Sequence, residues 1–164
     1  MSFLFALVCP GDAPRMDVEP SGTHFVEVVM DGCAALEEAG CRFEVSGFGD
    51  DAWRVDVAHD LSIALEQLPE VLLSLRAGVG VTWGFVEQGV ERHVDIEPSE
   101  SDVVTLRCRS GTTWRPDPVR IAVSRNELEE RLVALAASFA RAVGLLAPDL
   151  AHNPPIPAWR DRVI

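Results

Sequence analysis

Lysine is absent from all 164 residues, and so is tyrosine. Without lysine there is no amine to form a Schiff base, no anchor for pyridoxal phosphate and no P-loop cation for a nucleotide's phosphates. The four cysteines, at 9, 33, 41 and 108, include no C-x-x-C pair. That spacing argues against a zinc knuckle or a thioredoxin-type centre. Neither G-x-S-x-G nor H-E-x-x-H occurs, and no run approaches the roughly 18 apolar residues of a membrane span. Positive charge is scarce: 14 arginines stand against 26 acidic residues, for a formal net charge of −12. Such a surface repels nucleic-acid phosphates and anionic membranes, leaving basic partners, cations and neutral small molecules.

What is present is the make-up of a globular chain, 48% hydrophobic and 24% charged. A chain of this length buries roughly 70% of its unfolded surface, so it needs neither a disulfide nor a metal to fold. The apolar neighbours of the cysteines suggest buried thiols in a reducing compartment. Phe3 to Cys9 is apolar, but it has no basic flank and runs into Pro10-Gly11-Asp12. It reads as a first strand rather than a targeting signal, and a cytoplasmic protein is expected.

Along the chain, 2–9 is a buried strand and the proline- and glycine-rich 10–22 a loop. Phe25, Val28, Val29, Cys33, Leu36 and Ala39 have helical spacing ending at Gly40, although the β-branched run 26–29 leaves a strand to Met30 as a rival. Residues 41–48 and 52–58 alternate and predict a hairpin around Gly49-Asp50-Asp51. A helix follows over 62–77, with Pro69 expected to break or restart it and Asp60 expected to cap it. Residues 79–109 predict a three-strand antiparallel meander, and 119–123 a short strand. Ser124 and Glu127 form a capping box for a helix that ends before Pro148. The fold class is α+β: a mainly antiparallel sheet with three helices. Its first six elements match the ferredoxin-like β-α-β-β-α-β order. Residues 1–148 form one domain, and the proline-rich tail 149–164 is expected to lie extended on the body, pinned by Trp159.

Turn arithmetic gives the meander a register. A Gln88-Gly89 turn pairs Glu87 with Val90, Phe85 with Arg92, Trp83 with Val94 and Val81 with Ile96. A three-residue loop at 99–101 then sets Ile96 opposite Val104 and Val94 opposite Leu106. One face collects Val81, Trp83, Phe85, Val94, Ile96, Val104, Leu106 and Cys108 as core. The other carries Glu91, His93, Asp95, Glu97, Thr105, Arg107 and Arg109, with His93 facing Arg107, Asp95 facing Thr105 and Glu91 facing Arg109. The face reads either as a solvated charge ladder or as a flat recognition surface.

Same-strand neighbours such as His93 and Asp95 lie about 7 Å apart and converge poorly on a metal, so neither metal nor cofactor is expected. Trp114, in Trp114-Arg115-Pro116-Asp117-Pro118, tucks against the body or anchors an interface. In size, acidity and α+β make-up the chain resembles the immunity proteins of bacterial toxin systems. The features behind this are the acidic strand Glu91-Arg92-His93-Val94-Asp95-Ile96-Glu97 and its helical cover. The resemblance implies a module that binds and neutralises a basic protein partner; it rests on no motif, so no functional residue transfers. The alternatives are a small-molecule-binding or hydrolytic domain with a polar site at His93, Asp95 and Arg107, and a homodimer formed through a strand edge or the tail.

Overall fold

The computed structural model describes residues 2–86 and 89–164. It is an α+β fold with two antiparallel sheets. Strand β1 (Leu4–Val8) leads through a long loop into helix α1 (Phe25–Glu38), then strand β2 (Arg42–Ser46) and helix α2 (Ser62–Ala77). Strands β3 (Val81–Phe85), β4 (Arg92–Pro98), β5 (Val103–Ser110) and β6 (Arg120–Ser124) follow, then helix α3 (Arg125–Leu146) and a short helix α4 (Ile156–Arg160). β1 and β2 form one sheet, and β3-β4-β5-β6 form the other in sequence order. The ferredoxin-like order is therefore not realised. β1 runs antiparallel directly beside β2 in a separate two-stranded sheet instead of lying between later strands of one sheet.

The predicted strand at 52–58 is also absent. Gly47 and Asp50 close a tight turn, and the Trp53 N–H returns to the Val45 carbonyl. Asp56 then diverts the chain by accepting the backbone N–H groups of His59 and Asp60, which starts a π-helical turn, Val57–Leu61, running into α2. The cap is thus Asp56 rather than Asp60. The alternation of Trp53, Val55 and Val57 reflected burial of an irregular segment: Trp53 and Val57 are both in the core. Pro69 sits inside an unbroken α2 with its ring on the exposed side.

The β3–β4 register is the one the turn arithmetic gives, with Val81↔Ile96, Trp83↔Val94 and Phe85↔Arg92. The Glu87–Val90 pair and the turn residue Gln88 fall outside the described residues. Between β4 and β5 the register differs by two residues: Ile96 faces Leu106 and Val94 faces Cys108. β4 continues in the ladder through Pro98, which pairs with Val104, so the turn lies further along than expected. A shift of two leaves every side chain on its expected face. Trp83, Phe85, Val94, Ile96, Val104, Leu106 and Cys108 are accordingly buried.

Phe3, Phe5, Phe48, Trp53, Trp83 and Phe85 interlock between the two sheets. At the free edge of β3, the Gln67 side chain accepts from the Gly84 N–H and donates to the Gly84 carbonyl, covering an edge otherwise open to another strand. α3 crosses α1 at Gly32, where an added Cβ would stand 2.8 Å from the Phe139 ring. Ser124 caps α3 by accepting from the Glu127 N–H. The Glu127 carboxylate, however, turns to Arg131 instead of closing the box. The tail is not extended: it turns at Pro148–Leu150 and forms α4. Trp159 does pin it, packed against Phe25 and Phe139.

Cys9 and Cys41 form a disulfide, and only Cys33 and Cys108 are free, both buried. This corrects the expectation of four thiols. The pairing extends the β1–β2 ladder by one step beyond Val8↔Arg42, so adjacency in the sheet brings the two cysteines together. Among the described residues no helix is long and apolar enough to cross a membrane.

Candidate functional site

The polar face of the four-stranded sheet is organised around Asp95. Asp95 accepts from Arg109 Nε at 2.6 Å and Nη2 at 2.8 Å, and from the Thr82 hydroxyl at 2.8 Å. The Arg109 hydrogen bonds, with help from Thr82, hold the Asp95 carboxyl below the usual carboxylate range against the opposing effect of burial. In the observed register His93 faces Arg109, Asp95 faces Arg107 and Glu97 faces Thr105. The expected pairs His93–Arg107, Asp95–Thr105 and Glu91–Arg109 are thereby replaced. Glu91 lies before β4 in a left-handed conformation, φ 41°, and its carbonyl accepts from the Gly111 N–H. His93, Asp95, Glu97, Thr105, Arg107 and Arg109 do share the face, while Glu91 stands at its margin.

Trp114 belongs elsewhere. It lines a cleft of about 500 Å³ with Asp50, Ala52, Arg54, Gly89, Val90, Arg92 and Thr112. Arg92 opens β4 in phase with Val94 and Ile96, so its side chain enters the core side of the sheet and is only 8% exposed. Its guanidinium carbon lies 3.6 Å from the Trp114 ring centre and 4.6 Å from that of Trp53. Nη2 donates to Asp50 Oδ2 at 2.7 Å. Nε and Nη1 are sealed from solvent and meet no acceptor among the described residues. The loop 110–118 is held in place by the Asp117 N–H, which donates to the Phe48 carbonyl. Gly49 permits that approach: an added Cβ would lie 2.3 Å from the Asp117 carbonyl oxygen, and its φ is +84°.

A third surface follows from charge. Residues 1–70 hold fourteen acids and three arginines, whereas residues 71–164 hold twelve and eleven. Almost the whole net negative charge therefore belongs to the first 70 residues, in α1, the loops around it and the start of α2. Asp17, Glu19, Asp31 and Glu38 rim a shallow cleft of about 230 Å³ along α1, floored by Met16, Val18, Ala34 and Ala35. The loop is laid there by the Met16 N–H on the Leu146 carbonyl, the Val18 N–H on Asp149, and Ser21 on Asp31. On the same helix Val26 and Met30 are exposed, and with Ala34 they form a four-residue-spaced apolar stripe.

Arg92 and the acidic flank were both missed, and both left a trace. Arg92 is a charge at a core-phase position of a strand. The flank is an imbalance between the two halves of the chain that total charge conceals. Among the described residues no cluster of His, Cys, Asp and Glu is placed to hold a metal. No known protein family, curated protein or solved structure matches this chain.

Proposed function

We propose that this protein is an interaction module that binds a basic protein partner along the outer face of α1, in the manner of an immunity-type inhibitor. The observation that carries the reading is the acidic rim of Asp17, Glu19, Asp31 and Glu38 around the α1 cleft, within a first part of the chain that holds most of the net negative charge. Fourteen acids against three arginines set up a one-signed field, which accelerates encounter with a cationic surface and discriminates against acidic ones. The exposed Val26–Met30 stripe supplies apolar area that a partner desolvates, surrounded by a charged rim, as in protein interfaces generally. The polar sheet face at His93 and Asp95 remains a second candidate surface, but its carboxylate is already engaged within the molecule. The compartment depends on Cys9 and Cys41, which pair in an oxidising environment and stay reduced in the cytoplasm.

The test is affinity capture from the source cell at low and high salt with wild type, Glu19→Arg/Glu38→Arg and His93→Ala/Asp95→Ala. The captured protein is then purified and titrated against each. The expected partner is basic, loses at least about tenfold in affinity to the Glu19/Glu38 reversal, weakens with salt, and is indifferent to the His93/Asp95 change. Equal affinity for wild type and the charge reversal, or binding unaffected by salt, overturns the reading.

A further inference from the structure

We infer that the cleft over Arg92 binds a small molecule through an oxyanion, a carboxylate or a phosphate. Buried guanidinium groups in folded proteins have their donors matched by acceptors, because an unpaired buried donor is costly. Arg92 departs from this rule: one nitrogen meets Asp50, and Nε and Nη1 meet nothing among the described residues. A side chain that only riveted the 47–50 and 110–118 loops together would need no more than Asp50 and the two tryptophans. The two remaining donors are matched by oxygens that come from outside the chain.

The surroundings fit an anion. In a chain of net charge −12 the cleft is lined by two arginines and one aspartate, and Asp50 is already held by Arg92. Arg54 is exposed and forms no ion pair among the described residues, so it is available to meet the ligand at the mouth. A guanidinium pair is suited to carboxylate and phosphate oxygens. The volume, about 500 Å³, lies in the range of small-molecule sites. Trp114 lines the cleft and lies over the guanidinium, so an anion bound there changes the surroundings of a tryptophan whose emission reports it.

Tryptophan fluorescence is titrated with inorganic phosphate and, separately, with sodium benzoate, at ionic strength matched with sodium chloride. Neutral benzamide serves as the control. A saturable change is expected with at least one anion and not with benzamide. A response to phosphate alone assigns the site to phosphate-bearing ligands, and a response to benzoate alone to carboxylates. Arg92→Met abolishes the response, and Arg54→Ala weakens it several-fold. Should Arg92→Met fail to fold, Arg54→Ala, altered at an exposed position, decides the matter. Absence of a saturable response to both anions, or an unchanged affinity in Arg54→Ala, overturns the inference and leaves Arg92 a structural rivet.

Discussion

Arg92 and Asp95 stand three residues apart on one strand, and strand alternation sends them to opposite faces. Asp95 ends in a two-point pair with Arg109 in partial contact with water, where such pairs are worth at most about 1 kcal/mol after screening. Its effect on pH dependence is clearer than its size. Asp95 is held below the carboxylate range by Arg109 and Thr82, while an unfolded aspartate titrates near about 3.9. The folded protein therefore binds this proton less readily than the unfolded chain. Its contribution is complete above about pH 4 and disappears as pH falls through the lower folded value. Urea denaturation of wild type and Asp95→Asn from neutral to acid pH is expected to show a stability gap of up to about 1 kcal/mol that closes below that window. A gap independent of pH would mean that the pair does not favour the ionised carboxylate. Asp95 was visible in the sequence because polar alternation announces a solvent face. Arg92 was hidden because the same rule placed it among core residues, and only the tryptophans arriving from 53 and 114 show how a charge is kept there.

Among the elements, the three long helices were legible because their apolar spacing spans several turns and their ends carry signals such as Ser124 and Gly78, whereas the five-residue α4 is too short to show a period. The sheet was half legible. Burial on one face fixes which way each side chain points, but a shift of two residues costs that pattern nothing, so turn length had to choose the β4–β5 register. Taking 99–101 as the whole turn sets Pro98 opposite Asp102, whereas it pairs with Val104, and this moved the register by two. The segment 52–58 misled because a buried irregular chain and a strand can share an alternating pattern, and Asp56 chose between them through backbone hydrogen bonds. The crossing of α1 over α3 turns on Gly32. Glycine inside a helix is disfavoured by about 1 kcal/mol relative to alanine, yet an alanine Cβ here would press on Phe139 at 2.8 Å. Overpacking of this kind costs about 1–3 kcal/mol. Gly32→Ala is thus expected to destabilise the protein, by about 1 kcal/mol net. Combined with Phe139→Leu, which makes room, it should lose less than the two single changes together. Thermal unfolding of the four members of this cycle measures that coupling, and strict additivity would show that the ring yields freely.

At the level of the whole molecule, neither the separation of charge nor the disulfide follows from composition. Total charge is the sum of a strongly acidic half and a nearly balanced half. The cysteine spacing matched no motif because Cys9 and Cys41 meet through strand pairing across 32 residues. That link ties β1 to the end of α1 and so fixes the acidic half as one unit. In the chain-entropy account a loop of this length constrains the unfolded state by about 3–4 kcal/mol. Cys9→Ser/Cys41→Ser should then lower the melting temperature by about 10 °C in a chain of this size, provided the wild type is oxidised. The free thiols behave differently: burial raises the Cys108 thiol to about 11 and pushes Cys33 well above the ordinary range. Neither supplies thiolate at neutral pH. Protein taken directly from its source cell should therefore resist alkylation when native, take up two labels when denatured without reductant, and four after reduction. Four labels without reductant would show that the β1–β2 end is held by its ladder alone, and would place the module in a reducing compartment.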